Sequence, residues 1–184
     1  MEKLFTEYLE HSEKMRTGYR KSMLPAPKYW KDILSEVMDI IPEIFEVIYG
    51  NVSGTFSATQ EQNLLDFTPG YLLIHISEYQ KACKDLSAIL TALNIKDKFY
   101  PILRDYSSHF IAIKATTGEI YLISSEDGES LLHNSSLKFL ETLNDFYSKG
   151  VYFLDEDGFL DYDYDLEGEV GLKHNPGVKF WVDA

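Results

Sequence analysis

Cysteine is all but missing from this sequence, with Cys83 alone among 184 residues. A single thiol excludes an intramolecular disulfide and any cysteine-based zinc cluster, a pattern that fits a reducing compartment. Long apolar runs are missing too. "YLLIHI" at 71–76 is among the longest, far short of the roughly 18 residues that a membrane span needs. The opening "MEKLFTEYLEHSEKMR" is charged throughout and lacks the apolar core and small-residue cleavage site of a signal peptide. The expectation is a cytoplasmic chain with no membrane contact, in which the sequons "NVS" and "NSS" go unused. Basic residues are in deficit: 17 Lys and Arg face 30 Asp and Glu, a net charge of −13. That balance disfavours direct nucleic-acid binding and favours a basic protein partner.

Catalytic signatures are also wanting. There is no G-x-S-x-G elbow, no phosphate-binding G-x-x-x-x-G-K-[ST] and no G-x-G-x-x-G. None of the five histidines (His11, His75, His109, His133, His174) stands in a metal-binding spacing such as H-E-x-x-H. His75 and His109 read as residues on a strand face, and a structural role is expected for all five. Cys83 falls in a helix interior beside an apolar stripe, where a thiol is buried and inert. Asp105, Ser107, Ser108 and His109 cluster in sequence, but adjacent strand residues point to opposite faces and do not assemble a triad alone. No catalytic residue, metal or cofactor is expected.

What the chain does have is material for one core: 45% of its residues are hydrophobic and 14% aromatic, enough for a single domain over 1–184. Leu4, Tyr8, Met15 and Tyr19 line one side of an opening helix that fades at Gly18, and residues 1–26 read as a mobile helix and connector. Trp30, Ile33, Leu34, Val37, Met38 and Ile41 repeat at helical steps. Pro42 ends that helix and opens another, "PEIFEVIYG", closed by Gly50, after which "NVSGTFSATQEQN" reads as polar loop. "TPG" turns the chain into the strand "YLLIHI". Ser77 and Gln80 have the spacing of a capping box for a helix buried along Tyr79, Ala82, Leu86, Ile89, Leu90 and Leu93. Residues 99–130 read as a meander of short strands with "TTG" as one hairpin loop. "SSLKFLETLNDFYSKG" is a helix with a serine start, "VYFL" a strand, and "NPG" leads into "VKFWV" and a strand-rich end. The fold class is α+β, a largely antiparallel sheet packed with helices.

Charge is unevenly spread. Residues 151–184 form an acidic C-terminal segment, with nine acids against Lys173 and Lys179, while 1–30 has six bases and four acids. Within that segment "DEDGFLDYDYDLEGE" sets eight carboxylates among three aromatic rings. Asp163, Asp165, Glu167 and Gly168 match the first, third, fifth and sixth positions of a calcium loop, and Val170 the eighth. The match fails at the twelfth position, His174, and Asn175-Pro176 would stop the exiting helix. A solvated acidic loop is the plain reading, and the interleaved Phe159, Leu160, Tyr162 and Tyr164 argue against pure solvation. A disordered acidic tail has few aromatics, whereas carboxylates alternating with tyrosine give steering and a contact surface of low entropic cost. The candidate partner-binding set is therefore Asp155, Asp157, Asp161, Tyr162, Asp163, Tyr164, Asp165 and Glu167.

The order of these motifs carries a resemblance. "IPEIFEVIYGNVSGT", "PGYLLIHISEYQKA", "FYPILRDYSSHFIAIKATTGEIYLISSEDGE" and "NSSLKFLETLNDFY" together resemble the SUKH superfamily, the bacterial relatives of the fungal cell wall assembly regulators. The likeness covers roughly Trp30 to Phe153, with the family's tryptophan and short glycine loop represented by Trp30 and "YGNVSGT", and "DFTPGYLLIHI" a variant form. It implies a non-enzymatic binding protein. The chain itself is expected to be a monomer or weak dimer. Bacterial members are similar to immunity proteins that neutralise polymorphic toxins, often nucleases, and fungal members act as intracellular regulatory scaffolds that bind host proteins. An acidic surface fits the basic, phosphate-binding groove of a nuclease.

Overall fold

Short polar turns between apolar stretches favour antiparallel neighbours, and here, with one helical connection between the second and third strands, they build a six-stranded antiparallel sheet whose strands lie in sequence order. A computed structural model describes residues 1–56, 58 and 61–182. Its strands are β1 (Asp66–Thr68), β2 (Tyr71–Leu73), β3 (Phe99–Arg104), β4 (Phe110–Lys114), β5 (Ile120–Ser124) and β6 (Gly128–His133). The expected meander is β3 to β6. The "TPG" turn joins β1 to β2, with Gly70 in the left-handed backbone at φ +76° that its position demands. Phe110, Ile111, Ala112 and Ile113 are buried in succession, so the middle of the sheet is covered on both faces.

The helices supply that cover. α1 (Glu2–Met15), α2 (Tyr19–Ser22), α3 (Trp30–Ser35) and α4 (Glu43–Asn51) precede the sheet, and α5 (Tyr79–Ala92) links β2 to β3 and packs on β3. α6 (Ser136–Ser148) follows β6 and lies along α1; a hairpin of β7 (Tyr152–Leu154) and β8 (Leu160–Tyr162) comes next, then α7 (Tyr164–His174) and α8 (Lys179–Val182). One hydrophobic core joins all of this into a single α+β domain. No described helix is long and apolar enough to cross a membrane.

Several expectations are corrected. The opening segment is packed in place: Phe5, Tyr8, Leu9, Tyr19 and Met23 are core residues. Its buried face also carries Ser12 and Arg16, which masks the periodicity. Ser12 Oγ donates to Tyr147 Oη at 2.8 Å, and Arg16 donates to the Asp66 carbonyl at 2.8 Å with its guanidinium over the Tyr19 ring. α3 ends at Ser35, well short of Ile41, and Ile40 is exposed. α5 has no capping box: His75 Nδ1 accepts the Ser77 N–H ahead of the helix, and Gln80 bonds Glu36 instead. The loop after α4 is not all solvent-facing. Val52 to Thr55 are buried, Thr55 pairs with Ile74 in a parallel bridge, and Ser57, Thr59 and Gln60 lie outside the described residues. "VKFWV" is the helical turn α8 because Val178 and Trp181, three apart, both face inward; strand alternation cannot place both.

Candidate functional site

The acidic run folds into a hairpin and a helix. Asp155 shapes the turn between β7 and β8, its Oδ1 accepting the N–H of Asp157 at 3.0 Å and of Phe159 at 2.8 Å. Phe153 stands opposite Asp161 on one side of the hairpin; Tyr152 opposite Tyr162 and Leu154 opposite Leu160 share the other. Only Tyr152 and Leu160 are buried. Asp163 then caps α7, its Oδ1 accepting the Leu166 N–H at 2.9 Å. A carboxylate at that place also meets the positive end of the helix dipole.

The result is an ordered surface. Asp155, Glu156, Asp157, Asp161, Asp163 and Asp165 are all exposed, and none forms a salt bridge among the described residues. Around them Phe153, Phe159, Tyr162 and Tyr164 are exposed, Tyr164 by 56%. Phe159, named among the interleaved rings but left out of the candidate set, is one of them. Phe153 is a contact-type side chain that the sequence reading did not single out, although the odd-even alternation of "VYFL" against "FLDY" would have placed it outward. Asp183, counted in the acidic segment, lies outside the described residues.

Glu167 departs from its fellows. One helical turn after Asp163, it is half-buried and lines a half-open cavity of about 190 Å³ between the sheet and the C-terminal elements. Burial alone acts on its carboxyl and pushes its pKa up to about 7. The calcium-loop spacing is likewise dissolved by α7, because the helix turns Asp165 about 160° away from Asp163 and Asp163 is taken up as the cap, so the three carboxylates do not converge. No three His, Cys, Asp or Glu side chains among the described residues gather as metal ligands.

The inward side of α7 is fixed by polar and small residues. Gly171 sits under the indole of Trp181, whose Nε1 donates to the Leu132 carbonyl. Asn175 is fully buried: its Oδ1 accepts the Asn134 N–H at 3.1 Å, and its Nδ2 is shared among His133 Nδ1, Thr142 Oγ1 and the Gly171 carbonyl at 3.1–3.2 Å. Burial, reinforced by the nearby His174, lowers the pKa of His133 to about 3 and keeps its ring neutral. On the outside His174 Nε2 meets Asp145 at 2.7 Å. Burial opposes ionisation of Asp145, but hydrogen bonds from Lys149 and His174 prevail and hold it down at about 2.

Of the other candidates, Asp105 and His109 gain a partner that sequence spacing did not reveal. Asp105 lies 3.3 Å from His109 Nδ1, and His109 Nε2 lies 3.4 Å from Ser124 Oγ, one strand over. The serine is spoken for: its oxygen accepts the N–H groups of Glu126 and Asp127, each at 3.1 Å, and the residue is 3% exposed. This chain of bonds holds the turn between β5 and β6 and offers no hydroxyl to a substrate. Ser107 joins it only through its backbone N–H, which donates to Asp105, and the Ser108 hydroxyl pairs with Ser125 instead. Cys83 is half-buried, and burial pushes its thiol up to about 11. His11 stacks on Tyr147 and His75 caps the turn before α5. No protein-family model and no curated protein sequence matches the chain.

Proposed function

We propose that this chain is a non-enzymatic binding domain of the SUKH type, an immunity protein of the cytoplasm that neutralises a basic toxin domain by direct contact. One observation carries the reading. The β7–β8 hairpin and the first turn of α7 hold exposed, unneutralised carboxylates in fixed positions, interleaved with exposed aromatic rings. Unpaired surface acids raise the association rate with a basic partner, and rigid aromatic side chains supply contact area once it arrives. The order of α4, β2–α5, the β3–β6 meander and α6 adds support, since it follows the order of elements on which the resemblance rests. Asp155, Asp157, Asp161, Asp163 and Asp165 are assigned to steering, with Tyr162 and Tyr164 assigned to contact. Glu167 is withdrawn from that set because it faces the cavity.

The test is growth rescue. The chain is expressed in cells carrying the toxin domain encoded beside its own gene, with and without Asp157→Asn, Asp161→Asn and Asp165→Asn together. Rescue by the native chain, with association to the purified toxin slowed about tenfold at low salt in the variant, is the expected result. Failure of a folded chain to protect against an active toxin overturns the immunity reading. A stable partner recovered from cells that hold no toxin would instead favour a regulatory scaffold.

A further inference from the structure

The cavity that Glu167 faces is unlike the rest of the core. Tyr71 and Leu122 line it from the sheet, Leu143 from α6, Tyr152 and Tyr162 from the hairpin, and Trp181 from α8. Glu167 is the one charged side chain on its wall among the described residues, since His133 there is neutral and bound to Asn175. The carboxylate has no hydrogen bond or ion pair among the described residues, and burial is the sole influence on its ionisation. Tyr71, Tyr152 and Tyr162 are each held above the ordinary phenol range, chiefly by burial and further by the charge of Glu167, so all three rings stand within its field.

A lone carboxylate in an apolar, aromatic-walled cavity is costly without a counter-charge. It becomes favourable when a cation enters, and the π faces of tyrosine and tryptophan add to the attraction. Size narrows the ligand further. Cavities of on the order of 150 Å³ admit one benzene-sized body, whereas drug-sized ligands need about 300 Å³ or more. We propose that this cavity binds a small organic ammonium, an amine carried on a single ring or short alkyl stem, with Glu167 as its counter-ion and the surrounding aromatic rings packed on its body. The cavity shares the Tyr162 ring with the docking surface, but its charge is Glu167 alone, the exposed aspartates face solvent, and its occupancy requires no protein partner.

The test uses the full chain and two probes of equal shape, 2-phenylethylammonium and uncharged 2-phenylethanol, at about pH 8. The chain has two tryptophans, so a Trp30→Phe background makes Trp181 emission a reporter of the cavity, with calorimetry as a second readout. The expected result is saturable binding with the ammonium favoured at least tenfold over the alcohol. Glu167→Gln should bring the two probes within about twofold of each other. No saturable binding at millimolar probe, or equal affinity for both probes in the native chain, overturns the proposal without reference to any variant. So does undiminished ammonium binding by a folded Glu167→Gln protein. Binding of a lysine-containing peptide but not of the free amine would assign the cavity to a partner's side chain and also overturn it.

Discussion

Replacing Glu167 with Gln keeps the shape of the side chain and removes the charge that faces the cavity. In the folded chain the carboxyl titrates at about 7, against an ordinary value of 4.5. A raised carboxylate pKa means that the folded state holds the proton more tightly than the unfolded chain. Glu167 is therefore harmless below about pH 4.5, increasingly destabilising as pH rises, and at its full cost above about pH 7. At about 1.4 kcal/mol per pH unit, the interval from 4.5 to about 7 is worth about 3 kcal/mol by pH 8. Gln brings its own cost, an amide without a partner, but that cost is the same at every pH and cancels in a comparison. Urea unfolding followed by far-ultraviolet circular dichroism, on both proteins at pH 4.5 and pH 8, reads the difference. The stability of the variant relative to the native chain should improve by about 3 kcal/mol between the two pH values. A relative stability constant to within about 1 kcal/mol would mean that Glu167 is solvated in the folded chain, and the reasoning about the cavity would fail with it.

Three further substitutions probe what positions the site. Gly171→Ala places a methyl group inside the Trp181 ring, so overpacking of about 1–3 kcal/mol should outweigh the gain of about 1 kcal/mol that Ala brings to a helix; a stabilised protein with unchanged Trp181 emission would contradict this. Asn175→Ala strips partners from the Asn134 N–H, His133, Thr142 and the Gly171 carbonyl, and thermal and urea unfolding should show a loss of about 2–4 kcal/mol, with a change under 1 kcal/mol as the refuting result. Gly54 has φ +97°, and a Cβ there would lie 2.5 Å from the Ile74 carbonyl oxygen, so Gly54→Ala should cost on the order of 3 kcal/mol; native-like stability would show that the 53–55 segment can move off β2.

The parts of this fold that were legible are those whose buried faces are apolar at a regular spacing. Tyr79, Ala82, Leu86 and Leu90 on α5 and the strands from Phe99 to His133 satisfy that condition, and both were read correctly in kind. The opening helix was read as a helix, but its packing was hidden by Ser12 and by Arg16 at its end, polar residues that are buried because Tyr147 and the Asp66 carbonyl bond them. α7 failed that condition more completely: its inward side is Leu166, Glu167, Gly168, Val170, Gly171 and the capping Asn175, with only Leu166 and Val170 apolar side chains among them. Its ends did announce it, with Asp163 at the cap, Asp165 and Glu167 in the first turn, Lys173 and His174 in the last and Pro176 beyond. The calcium-loop spacing drew on the same aspartates and concealed that signal. No pattern in the acids themselves distinguishes the carboxylate that turns inward, because the choice is made by the hand of a helix that the periodicity did not reveal.

The division of labour among these acids follows from where the chain has already spent its backbone. Asp155 and Asp163 close a turn and cap a helix, so their charges are held where the backbone holds them, at little further loss of side-chain freedom. Asp157, Asp161 and Asp165 share that rigid frame without bracing it to another side chain. A disordered tail of equal charge would have to be ordered on binding, and that ordering would weaken the complex. Holding the same charges on a hairpin and a capped helix removes most of that cost before any partner arrives. Asn also serves well at a cap, so charge can be removed from the outer positions, and even from Asp155 and Asp163, without removing the turn and the helix that present them. Long-range attraction and local architecture are thus separable properties of the same residues.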